Sequence, residues 1–209
     1  MNLPKELKTA ISKLSDKEKD RLIFKLLKKD LILANRLLFE FVSSKSVEQQ
    51  REEIKNLLTA DIEQATQNYY SPGNLLMYLR DMSGMINEHL SMTRDKYGEI
   101  SLNIYVITEI LEHNKENILR ATEKKAEKFC TEIIAKTFKT LLLIQKMPED
   151  CRADFNNDLQ KLAGLISNTS YLIKEAIFNG LDVNWLLQGN IPDDIEKIYK
   201  ELKKRGCLK

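Results

Sequence analysis

Glu109 and Glu112 stand three residues apart in "TEILEH", a spacing that puts two carboxylates on one helical face, where they can share a hard divalent cation such as Mg²⁺. No second half of such a site follows. The chain contains no Glu-x-x-Asp, HxxxH, HExxH, Glu-x-x-His or CxxC. A nucleophile is equally hard to place: there is no Gly-x-Ser-x-Gly and no glycine-rich phosphate loop, and Cys130, Cys151 and Cys207 stand near neither His89 nor His113 in sequence. These absences favour a protein that binds over one that catalyses. They imply no cofactor and, apart from the Glu109/Glu112 alternative, no metal.

Binding residues are easier to find. Tyr69 and Tyr70 stand beside a Pro72-Gly73 turn, and the segment after it is rich in Met and Tyr, among them Tyr78 and Met85. Aromatic anchors next to an adaptable Met-containing surface suit a protein partner, although Met at helical spacing also suits a core. Lys17, Arg21, Lys25 and Lys28 fall within about 80° of arc at 100° per residue. They lie opposite Leu22, Ile23, Leu26 and Leu27. Such a stripe can follow a nucleic-acid backbone, and it equally forms the solvated face of an amphipathic helix. His89 reads as a packing or hydrogen-bonding group near Met82 and Met85; His113 reads as a helix-end residue.

The elements that must carry these residues are helices. Seven Gly and four Pro in 209 residues leave little material for strands and turns, and Leu, Ile, Lys and Glu favour helix. The segment Lys115 to Met147 has no Gly or Pro, and an apolar stripe through Leu119, Ala126, Phe129, Ile133, Phe138 and Leu141 predicts one long central helix. Ser15 with Glu18 and Ser46 with Gln49 are capping boxes, and Asp30 can cap a helix between them. Three short helices therefore precede the "SSKS" linker at 43–46. The "NYYSPGN" stretch at 68–74 breaks the chain, "DKYGE" at 95–99 is expected to end a helix, and another is expected from about Ser101 to His113.

Net charge is +2, but it is unevenly spread. Met1–Val42 carries ten Lys/Arg against six Asp/Glu, Ser43–Glu112 six against eleven, and His113–Met147 eight against four. Pro148–Ile195 then has three against eight, and the remainder six against two. Helices of opposite sign packed side by side explain this pattern, as would two basic surfaces made for an acidic partner. Three unpatterned cysteines point to a reducing compartment. The opening "MNLPKELKTA" lacks the apolar core of a signal peptide, and no apolar run reaches membrane-spanning length. A cytoplasmic protein is expected, with no membrane partner.

Three resemblances bear on function. Residues 182–190, "DVNWLLQGN", resemble the closing segment of phage-repressor-like helix-turn-helix regulators through Trp185, Leu186, Leu187 and Gly189. The preceding stretch lacks the Gly expected at the turn, and its acidic balance opposes DNA, so Trp185 also reads as a core anchor under the last helix. The segments "EKDRLIFKLLKKD", "DKYGEI" and "NGLDVNWLLQGNIPDDI" together resemble an uncharacterised all-helical bacterial family, across most of the chain. That resemblance implies no catalytic residues. Glu109 and Glu112 are similar to the Glu-x-x-Glu of all-α nucleotide pyrophosphatases of the dUTP-hydrolase type, which would imply Mg²⁺-dependent hydrolysis; the Glu-x-x-Asp those enzymes also carry is missing here.

The sequence thus predicts an all-α multi-helix bundle around a long central helix. A helical hairpin module at 1–45 precedes the main bundle at 46–209, with one continuous domain as the alternative. The expected function is that of a non-enzymatic interaction or adaptor protein, binding another protein or itself through Tyr69, Tyr70, Tyr78 and Met85 or through the first three helices. Nucleic-acid binding through Lys17, Arg21, Lys25 and Lys28 or the basic C-terminus is the alternative, and hydrolysis at Glu109/Glu112 the second.

Overall fold

Short polar side chains set several of the helix starts, accepting backbone N–H groups that no preceding turn can satisfy. A computed structural model describes residues 3–208 as α1 Lys5–Ser12, α2 Asp16–Leu27, α3 Leu31–Phe41, α4 Val47–Gln67, α5 Pro72–Thr93 and α6 Lys96–Arg120. There follow α7 Glu123–Gln145, α8 Glu149–Arg152, a 3₁₀ turn Ala153–Phe155, α9 Asn156–Ser167, α10 Ser170–Phe178, α11 Asn184–Gln188 and α12 Ile195–Lys204. The fold is all-α, and no strand occurs among the described residues. Met1 and Asn2, in the expected 1–45 module, and Lys209, in the expected 46–209 bundle, lie outside them. The two capping boxes form as the sequence predicts, at the heads of α2 and α4, and the Asp30 carboxylate accepts from the Leu33 amide at 3.0 Å.

The central helix differs from expectation. Lys115–Met147 is not one rod: Ala121 is extended, Thr122 stands at the head of α7, and the chain turns between α6 and α7. The break needs neither Gly nor Pro because the freed Ala121 carbonyl is satisfied from outside, by the Tyr171 hydroxyl at 3.1 Å. The "DKYGE" segment also opens a helix instead of closing one. Asp95 caps α6, which therefore starts at Lys96 and not near Ser101.

Two long helices, α6 and α7, make the centre. Helix α6 packs against α4, α5, α7 and α9, and α7 against α5, α6, α10 and α12. Each buries eleven residues, among them Ile104, Ile107 and Ile110 on α6 and Phe129, Ile133 and Phe138 on α7. Every such apolar side chain removed from water contributes roughly 1.5–3 kcal/mol. Glu116 and Arg120 pair at 3.2 Å along α6, whereas the Lys136 ammonium reaches across to the Ser83 hydroxyl on α5 instead of to Glu132 one turn away.

The N-terminal helices behave differently. Helix α3 packs against α5 and loosely against α2, but α1, α2 and α3 contain no buried residue. Their apolar side chains do not join the core cluster.

Candidate functional site

The predicted inward face of α2 is in large part exposed. Leu22 and Leu27 are half-covered, while Ile23 and Leu26 face solvent together with Phe24, which is 61% exposed. On α3 and at its end, Leu31, Ile32, Leu38, Phe41 and Val42 are exposed as well. An isolated exposed Leu is ordinary, but a run of apolar residues on consecutive helices is the signature of an interaction surface. Lys17, Arg21, Lys25 and Lys28 are exposed on the same helix, and among the described residues none of the four is in an ion pair. The polar side of this surface carries these four cations, diluted by Asp16, Glu18 and Asp20 on the same helix.

The structure separates the two tyrosines. Tyr70 is 88% exposed, as an anchor for a partner must be. Tyr69 is half-buried, and its hydroxyl donates to the Asn117 carbonyl at 3.0 Å, tying the α4–α5 turn to the end of α6. Tyr78 and Met85 are half-buried against the core. Met82, in the same stretch, is fully buried whereas Met77 is 63% exposed, so the Met-rich stripe is packing only in part.

Glu109 and Glu112 are brought together on α6, facing α9. The Lys161 ammonium lies 3.3 Å from Glu109 Oε1 and 2.6 Å from Glu112 Oε2, bridging the two carboxylates in the position a divalent cation would take. His113 Nε2 lies 3.4 Å from the other Glu109 oxygen. Among the described residues no group of three or more His, Cys, Asp or Glu is placed to hold a metal ion. A cleft of about 240 Å³ adjoins this bridge, lined by Arg51, Lys55, Tyr105, Thr108, Asp158 and Lys161. The Tyr105 and Thr59 hydroxyls are hydrogen-bonded at its α4 wall, 2.7 Å apart.

Sequence reasoning missed the most strongly interacting polar group. Arg51 on α4, His89 on α5 and Asp95 between α5 and α6 converge behind the α5–α6 turn. Arg51 donates twice to Asp95, from Nε at 2.6 Å and from a terminal nitrogen at 2.9 Å, while the Gly98 amide donates at 2.8 Å. His89 Nε2 lies 3.2 Å from Asp95 Oδ2; an ionised carboxylate can only accept, so that nitrogen carries a proton. Burial opposes charge on Asp95, but the bonds from His89, Arg51 and Gly98 outweigh it and hold the carboxyl well below the usual range. Gly98 is required by close approach. A Cβ there would stand 2.0 Å from Asp95 Oδ2 and 2.9 Å from Arg51 Nε. The Thr93 hydroxyl belongs to the same cluster: it stands 3.5 Å from His89 Nε2, donates to the His89 carbonyl at 2.7 Å and accepts from the Asp95 amide at 3.2 Å. With His89 and Asp95 both buried, the cluster reads as a structural clamp. The sequence signal was Asp95 three residues before Gly98, a helix start with room at its third position.

Cys130 and Cys151 are not activated as nucleophiles. Burial and the Glu175 and Glu123 carboxylates push Cys130 up to about 12, and Cys151 is raised by desolvation and by Asp150 and Asp154. In the 182–190 segment Leu186 is buried, Gly189 ends α11 in the left-handed region, and Trp185 meets Phe138 edge-on at 6.0 Å. Tyr199 of α12 contacts the same Phe138 ring, so Trp185 and α12 share an anchor on α7. No helix among the described residues is long and apolar enough to cross a membrane. Comparison with family models, curated proteins and solved structures finds no match to the chain.

Proposed function

We infer that the chain is a non-enzymatic interaction protein whose contact face is the α1–α3 segment, with Tyr70 as a further exposed anchor. One observation carries this reading: three consecutive amphipathic helices bury no side chain and leave Ile23, Phe24, Leu26, Leu31, Ile32 and Phe41 in water. An apolar surface of that kind gains when another protein covers it. The Lys161 bridge across Glu109 and Glu112 supports binding over hydrolysis, since this carboxylate pair already shares a cation.

A second reading rests on the basic stripe of α2. Lys17, Arg21, Lys25 and Lys28 are exposed and, among the described residues, in no ion pair, the arrangement a nucleic-acid backbone would use. The test is a tagged capture from native lysate, split into nuclease-treated and untreated halves. Protein partners that survive nuclease are expected. Capture that disappears with nuclease and weakens steeply with salt would replace the first reading with the second.

A further inference from the structure

Beside the α5–α6 turn, a cleft of about 350 Å³ lies between α5, α6 and the end of α7. Its walls are apolar: Leu90, Ile100, Leu143 and Met147. Its rim is cationic, with Arg94, Lys96 and Lys146 against a single carboxylate, Glu99. Among the described residues none of these three cations lies within ion-pair distance of a carboxylate. Cationic charge is thus in excess at the mouth of an apolar slot, with Glu99 near enough to Lys96 and Glu196 near enough to Lys146 to offset part of it.

Arg94 adds an independent observation. It ends α5 at φ 58°, in the left-handed region, with its amide bonded to the Leu90 carbonyl at 2.8 Å. Gly or Asn ordinarily takes such a cap, because a larger side chain is strained there. Backbone strain held at the edge of a cleft is the kind of outlier found at ligand sites. Here it keeps a guanidinium on the rim where a glycine would have served the turn.

We propose that this cleft binds a single-chain amphipathic carboxylate, with the acyl chain between Leu90, Ile100, Leu143 and Met147 and the carboxylate at Arg94, Lys96 and Lys146. The volume is at the low end for small-molecule sites, which suits one short acyl chain. The excess of cations over the lone Glu99 selects an anion at the mouth, and an arginine fork with two ammonium groups is matched to a carboxylate. This site is separate from the α1–α3 face and does not depend on it.

Calorimetric titration of the full chain with decanoate, below its micelle concentration, tests the proposal. Saturable one-site binding is expected, with decanol and decyltrimethylammonium at least tenfold weaker. Arg94→Gly combined with Lys146→Gln should weaken decanoate at least tenfold without lowering the melting temperature, since Gly fits the left-handed cap. If that pair perturbs folding, Lys96→Gln alone should still weaken binding several-fold. An Ile23→Ser/Phe24→Ser variant should titrate like the unaltered chain. Absence of saturable decanoate binding, equal binding of the neutral or cationic analogue, unchanged affinity in the rim variants, or loss of binding in the α2 variant would each overturn the assignment.

Discussion

Helices α2 and α7 are both amphipathic, and they end in opposite circumstances. On α7 the apolar stripe is covered from several sides, and eleven residues are buried. On α2 a stripe of the same periodicity buries none, and its chief neighbour, α3, also buries none. The difference lies in what surrounds each helix. Periodicity establishes that a face is apolar, but only neighbouring elements determine whether that face becomes core or contact surface.

Substitution should widen this contrast. Phe138→Ala on α7 removes a fully buried ring that Trp185 and Tyr199 both contact, and is expected to cost about 3–5 kcal/mol by denaturant unfolding. Asp95→Ala leaves Arg51 and His89 without their shared partner and should cost about 3 kcal/mol, the lower end for a broken buried pair because Arg51 keeps some contact with water. The sign of the pH effect follows from the depressed Asp95 pKa. Its contribution is complete above the ordinary Asp range and drains away as pH falls through that range and below. Acid unfolding curves should therefore be flatter for Asp95→Asn than for the unaltered chain.

Smaller effects sharpen the comparison. Tyr69→Phe deletes the bond to the Asn117 carbonyl and should cost about 1 kcal/mol, whereas Tyr70→Phe should leave the unfolding midpoint where it is. Phe24→Ser on the exposed face of α2 should change stability by no more than about 0.5 kcal/mol. A large loss at Phe24 would show that α2 is covered within the molecule and would remove the contrast.

Local chemistry was the legible part of the sequence. The Ser15, Asp30 and Ser46 caps stand where short polar side chains announce them, because a cap is made by residues three apart. The break at Ala121–Thr122 was not legible, since what permits it is the hydroxyl of Tyr171, fifty residues away. The Asp95 clamp was hidden for the same reason: Arg51 stands forty-four residues before its partner. Tyr69 and Tyr70 looked equivalent side by side, and only the placement of α6 distinguishes a clamp from an exposed ring. Glu109 and Glu112 could be put on one face from spacing, but the lysine that bridges them comes from α9.

On the proposed function, the apolar surface of α2 serves a partner and not the fold. The most direct measurement is quantitative capture from nuclease-treated native lysate by the unaltered chain and by Ile23→Ser/Phe24→Ser, with the melting temperature of both recorded. The expected result is loss of the captured proteins by the variant at an unchanged melting temperature. Identical capture by the two proteins, or a variant that melts many degrees lower, would contradict the account.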